Sequence, residues 1–118
     1  MAILEEGGRA TACILSEASG KRSRENIVVA EESGIVAPNT VLVSGEGGYA
    51  PAAAAAGANT TLAIALYAAD ATDEDVRIAA LVRDAEVNVH TLVFATAVTA
   101  EVRTGLIAKL ATQGIIAR

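Results

Sequence analysis

Aromatic, cysteine and histidine side chains are scarce in this 118-residue sequence: Phe94, Tyr49 and Tyr67 are its aromatics, Cys13 its one cysteine and His90 its one histidine, and tryptophan is missing. A single cysteine excludes an intrachain disulfide and any four-cysteine zinc site, and suits a reducing compartment. With one histidine and no serine in a G-x-S-x-G setting, the nucleophile-and-base arrangements of hydrolases have no material. The poverty in aromatics argues against a carbohydrate platform. Long apolar runs are also missing. Glu5, Glu6 and Arg9 interrupt the run that begins at Ile3 and Leu4, and no stretch nears the roughly 20 residues that span a bilayer. The expectation is a soluble product of the cytoplasm with no membrane partner. A net charge of −5 and a pI near 4.8 repel a phosphate backbone, so direct nucleic-acid binding is not expected. The basic cluster Lys21, Arg22 and Arg24 is too short to reverse that and reads as a solvated loop.

What is present is apolar and small. Hydrophobic residues make up 53% of the chain, enough for one domain with a core. Much of that fraction is alanine, whose burial contributes only about 1 kcal/mol per methyl-sized group, so such a core gains from oligomerisation. The polar clusters lack catalytic spacing. Asp73, Glu74 and Asp75 are without the glycine and terminal glutamate of a calcium loop. Glu31 and Glu32, adjacent on a strand, would point to opposite faces. Gly45–Gly48 lacks the Gly-Lys-Ser/Thr of a phosphate loop and the strand-to-helix setting of a dinucleotide fingerprint. Asn59, Thr60 and Thr61 match a glycosylation pattern that carries no meaning without a secretory signal. No metal, cofactor or catalytic activity is expected.

Residues 1–25, rich in Gly, Ser, Arg and Glu with an apolar island at Ala12–Leu15, read as an N-terminal arm whose extended backbone is suited to adding a strand to a partner's sheet. Residues 26–118 read as the domain proper. Ile27–Val29 predicts a strand and Glu31–Gly34 a turn. Ile35 and Val36 are followed by a Pro38–Asn39 turn, and Thr40–Val43 predicts a second strand, bounded by Gly45, Gly47 and Gly48. Ala52–Ala56, between Pro51 and Gly57, reads as a variable loop because so short an alanine run forms no stable helix alone. Thr60–Tyr67 and Val87–Phe94 predict buried strands, the second placing His90 in a strand as a structural or interface residue. Thr99 precedes Val102, Leu106, Ile107 and Leu110 at helical spacing, with Glu101 early, Lys109 late and Gly114 as the stop, so this segment predicts the helix. Ile115 and Ile116 follow as a β-type pair. The fold class expected is mainly β with one C-terminal helix (α+β), a small barrel or folded ribbon with an extended arm.

The order of certain segments is more specific than any of them alone. Leu15–Glu25 (Leu-Ser-Glu-Ala-Ser-Gly-Lys-Arg-Ser-Arg-Glu) precedes Val28–Ala30 and then Ala37–Leu42 (Ala-Pro-Asn-Thr-Val-Leu). Ala65–Thr72 contains Ala-Leu-Tyr and Asp-Ala-Thr, Val82–Val87 contains Arg-Asp-Ala-Glu-Val, and the chain closes on Gly-Ile-Ile-Ala-Arg. Over residues 13–118 this resembles the lambda-type phage head decoration proteins. Asn39 departs from the glycine common before Thr-Val-Leu in that family, and Ala52–Ala56 falls in a variable region.

The resemblance implies a β-clip fold, a homotrimer on the outer surface of the expanded phage head, and an arm that completes a sheet of the major capsid protein. On that basis, and from the arm's extended composition, the capsid-binding residues expected are Thr11, Ala12, Cys13, Ile14 and Leu15, with Arg22, Ser23, Arg24, Glu25, Asn26, Ile27, Val28 and Val29. Removing residues 1–20 is expected to leave a trimer that no longer binds heads. Two other classes compete: a trimeric β-clip protein that binds a ligand or hydrolyses nucleotides, and a virion surface module that binds a host receptor or glycan.

Overall fold

The computed structural model describes residues 9–53, 60–95 and 98–118. They form strands β1 (Ile14–Glu17), β2 (Arg24–Val29), β3 (Gly34–Val36), β4 (Val41–Gly45), β5 (Gly48–Pro51), β6 (Leu62–Ala65), β7 (Ala69–Ala71), β8 (Val76–Leu81) and β9 (Ala85–Val87). Helix α1 (Ala100–Thr112) and strand β10 (Ile115–Ala117) follow. Five strands close into a barrel in the order β2-β5-β4-β6-β8. Beside it lie a three-stranded sheet, β1-β9-β10, and a two-stranded ribbon of β3 and β7. The fold is thus the expected small α+β protein, mostly β with one C-terminal helix.

The barrel decides where large and small side chains go. Ile27, Val29, Leu42, Ala63, Ala65, Ile78 and Ala80 share one buried cluster. They occupy one face of their strands, which is the barrel interior. Five strands enclose little volume, so alanine fills three of these positions. The intervening residues Leu62, Ile64 and Leu81 belong to a second cluster, with Leu106 and Leu110 of α1, Val87 of β9 and Ile115 of β10. β4, β6 and β8 therefore each serve two cores, and β6, Leu-Ala-Ile-Ala, is buried along its whole length.

The seam of the barrel rests on one glycine. β4 turns into β5 through Glu46 and Gly47, with Gly45 opposite Gly48, as a two-residue hairpin. β5 then meets β2 in parallel at Val29↔Tyr49, where the Ala30 N–H donates to the Tyr49 carbonyl at 2.9 Å. Gly48 has φ +132, and a Cβ there would lie 2.7 Å from the Val28 carbonyl oxygen. Only glycine lets these backbones close.

Helix α1 starts and stops where its caps dictate. The Thr99 hydroxyl accepts from the Val102 N–H at 3.3 Å, satisfying one of the free donors of the first turn, and Gly114 at φ +85 ends the helix. The capping residue Gln113 also ties the helix to β6: its Oε1 accepts from the Leu62 N–H at 2.7 Å and its Nε2 donates to the Leu62 carbonyl at 2.8 Å.

Three expectations change. Val87–Phe94 is not a strand: β9 ends at Val87, and Asn88 starts a turn in which its Oδ1 accepts from the His90 N–H at 2.9 Å. An asparagine able to mimic a backbone turn outweighs the β-branched residues around it. His90 is consequently an exposed turn residue. Gly48–Pro51, whose ends the sequence marks only as bounds of the preceding strand and the alanine loop, is β5. Of the alanine run, Ala52 is buried and its N–H donates to the Val41 carbonyl at 3.0 Å, Ala53 is exposed, and Ala54–Ala56 lie outside the described residues.

Two substitutions test this packing. Ala63→Leu adds apolar surface yet is expected to destabilise by roughly 1–3 kcal/mol through overpacking, whereas Leu62→Ala, one residue away, is expected to cost about 2–5 kcal/mol by leaving a cavity. Gly48→Ala is expected to cost at least ~2 kcal/mol from the strained φ and the clash at the seam. Urea unfolding monitored by circular dichroism measures all three.

Candidate functional site

Residues 9–13 lie against the body of the protein. The Thr11 N–H donates to the Leu66 carbonyl at 3.0 Å, the Asn88 N–H donates to the Cys13 carbonyl at 2.7 Å, and Cys13 is fully buried. Burial pushes the Cys13 thiol up to about 11, so it is a protonated packing group and not a nucleophile. β1 pairs antiparallel with β9, but the register jumps from Ile14↔Val87 to Ser16↔Glu86. Leu15 is the extra residue of this bulge, and 54% of its surface is exposed. A bulge on an edge strand re-aims a side chain, and here it turns a leucine outward.

Beyond β1 the chain loops through Lys21 and returns as β2, and a clasp holds the two strands together. The Arg24 guanidinium donates to both oxygens of the Glu17 carboxylate, from Nε at 3.2 and 3.1 Å and from Nη2 at 2.9 Å. The buried Ser23 hydroxyl adds a bond at 3.1 Å. Three further ion pairs form: Arg22 lies 3.5 Å from Asp84, Arg83 lies 3.0 Å from Glu25, and Arg118 lies 3.2 Å from Glu86. Arg22 and Arg24 of the basic cluster are thus paired locally. An open depression of about 330 Å³ is lined by Glu17, Gly20, Lys21, Arg24, Glu25, Asn26 and Ala79.

The predicted capsid-binding residues fall into two stretches joined by that clasp. In the first, Ala12 and Leu15 are exposed, Thr11 and Ile14 half-buried and Cys13 buried. In the second, Arg22, Glu25 and Asn26 are exposed, Arg24 and Val28 half-buried, and Ser23, Ile27 and Val29 buried. Both stretches have an open strand edge. Among the described residues β1 pairs with β9 alone, and β2 pairs fully with β8 but meets β5 only at Val29 and, through the close approach of Gly48, at Val28, so Arg24–Ile27 carries no strand on its second side. The outward Leu15 was not singled out from its neighbours by the sequence, because a bulge depends on the partner strand and leaves no local signal.

The acidic residues the sequence grouped together lie elsewhere. Asp73, Glu74 and Asp75 are exposed between β7 and β8, and the Asp75 carboxylate accepts from the Glu31 N–H at 2.8 Å. Among the described residues no three His, Cys, Asp or Glu side chains converge in a way that holds a metal ion, and no helix is long and apolar enough to cross a membrane.

The Arg24 hydrogen bonds hold the Glu17 carboxyl below its ordinary value of 4.5. The lowered value means that the clasp stabilises the fold above pH 4.5, fully so at neutral pH, and that this contribution is lost as pH falls through the folded-state value. Glu17→Gln is expected to cost about 1 kcal/mol at pH 7, the size of a partly exposed charge-assisted bond, and the gap to the unaltered protein should narrow at a pH below 4.5. Paired urea titrations on the two sides of that value measure it.

Comparison with known proteins adds one finding to this geometry. A family model described as bacteriophage lambda head decoration protein D matches residues 3–115. No curated protein and no solved structure gives a significant match. The matched span takes in β1 with its outward Leu15, the Glu17–Arg24 clasp, the barrel and the helix, and this chain therefore belongs to the lambda head decoration protein D family of phage capsid proteins.

Proposed function

We propose that this chain is a capsid cement: a homotrimer of β-clip subunits, made in the host cytoplasm, that binds the outer surface of the expanded phage head. In this reading residues 1–25 act as the arm that adds to a sheet of the major capsid protein, and residues 26–118 are the decoration domain. The single observation that carries the reading is the family match over residues 3–115. Two features of the fold support the role given to the arm. β1 and Arg24–Ile27 both offer an open strand edge, the backbone feature that strand addition uses, and Leu15 stands beside the first as an exposed apolar anchor.

Stabilisation follows from linkage. A protein that binds the closed shell and not its dissociated parts shifts the equilibrium toward the shell, by RT ln(1 + [L]/Kd) per site, which opposes the outward pressure of packaged DNA. Three tied subunits add avidity, because one docked arm raises the effective concentration of the others. An acidic protein, net charge −5, suits the outside of a shell whose interior holds DNA.

The test is co-sedimentation with expanded, undecorated heads. Cys13 and Ile14 belong to or pack against the core, so a point substitution on the exposed bulge is preferable to removing the segment. Full-length protein is expected to bind saturably, and Leu15→Arg to bind at least about tenfold more weakly, the loss of one buried leucine anchor, with unchanged circular dichroism. Sedimentation velocity should give three times the 11.9 kDa chain mass. Absence of binding by the full-length chain overturns the cement reading.

A further inference from the structure

Asn39 occupies a position whose backbone needs no asparagine. It is fully buried at φ +72, a conformation that glycine adopts at no cost and asparagine tolerates. Its backbone is already committed: its N–H donates to the Ala65 carbonyl at 2.6 Å, and its carbonyl accepts from the Val93 N–H at 2.9 Å. The side-chain amide is therefore free to act on a third segment. Its Oδ1 accepts from the Cys13 N–H at 3.2 Å, and its Nδ2 donates to the Arg9 carbonyl at 3.0 Å.

Those two atoms bracket a tight turn. The Ala12 N–H donates to the Arg9 carbonyl at 3.2 Å and the Ile14 N–H to the Thr11 carbonyl at 3.1 Å, while Thr11 takes the left-handed conformation at φ 61. The amide of Asn39 thus closes both ends of Arg9–Cys13 with a matched acceptor and donor, immediately before β1 begins at Ile14. A glycine at 39 would keep the Pro38–Thr40 turn and its two backbone bonds and would lose only this bracket.

We infer that Asn39 is a positioning residue for residues 9–13: its buried amide, added to the Thr11–Leu66 and Cys13–Asn88 backbone bonds, closes this turn on the body of the free protein and so sets the place and direction from which residues 9–13 and β1 meet a partner. The inference rests on the proposal that this segment contacts the capsid. Holding the segment in its docking arrangement before contact removes an ordering cost at binding and raises the fraction of binding-competent molecules, on which apparent affinity depends directly.

The experiment compares full-length protein with Asn39→Gly, which keeps the backbone conformation and removes both side-chain bonds. Hydrogen exchange is read at Cys13, with Ile64 and Leu81 as core references, and head binding by association and dissociation rates. In Asn39→Gly the Cys13 amide is expected to exchange at least tenfold faster with the core amides unchanged. Association with heads should slow while dissociation stays the same. Unchanged Cys13 exchange in Asn39→Gly overturns the inference, and so does faster exchange with an unaltered association rate. Heads that fail to bind the unaltered protein overturn the capsid proposal instead, a result that the exchange data separate from loss of the bracket.

Discussion

Closing five short strands on themselves leaves an interior that admits few large side chains, and most of the architecture follows from that limit. Ala63, Ala65 and Ala80 fit inside, and alanine contributes little burial energy. The larger residues of the same strands, Leu62, Ile64 and Leu81, must be covered from outside. Helix α1 and the β1-β9-β10 sheet are that cover. The C-terminal elements are thus a requirement of a narrow barrel, and Gln113, hydrogen-bonded to both backbone groups of Leu62, holds the cover in register.

The same arrangement frees the N-terminal segment to serve two ends. Cys13 fills a place in the outer core, while Leu15, displaced by the bulge, faces solvent. The Glu17–Arg24 clasp is partly exposed and contributes modest stability for an ion pair, yet its contacts from one guanidinium to both oxygens of one carboxylate tie the end of β1 to the start of β2. Asn39 does the equivalent work at the other end of β1. Geometry at this surface is held by directional polar contacts, because small apolar side chains hold direction poorly.

Much of the chain was legible locally. The Ile27–Val29 and Thr40–Val43 runs are within or overlap β2 and β4, Leu62–Ala65 lies inside the predicted Thr60–Tyr67 strand, and Thr99 and Gly114 bound the helix as their cap chemistry requires. β8 was not foreseen. Its Ala79 and Ala80 have weak β propensity, and the strand exists because it pairs along its whole length with β2. β5 was hidden for a related reason: Gly48 and Pro51 read as loop residues, yet Gly48 is required by the closeness of Val28 and Pro51 closes the ladder opposite Leu42. The β-branched Val87–Thr91 stretch misled in the opposite sense, since one turn-forming Asn88 stops β9.

The sequence alone determined the class of the protein and its family: an acidic, alanine-rich domain without catalytic spacing, with a C-terminal helix set by its caps and an order of segments shared with phage head decoration proteins. These are properties of composition, of contacts between near neighbours and of linear order, all of which are written along the chain. Only the tertiary structure decided that the strands close into a barrel, that Leu15 faces outward while Cys13 is buried, and that the Asn39 amide brackets residues 9–13. Each of those depends on backbones remote in sequence coming within hydrogen-bonding distance, and a free-energy balance among distant partners leaves no mark on any one segment.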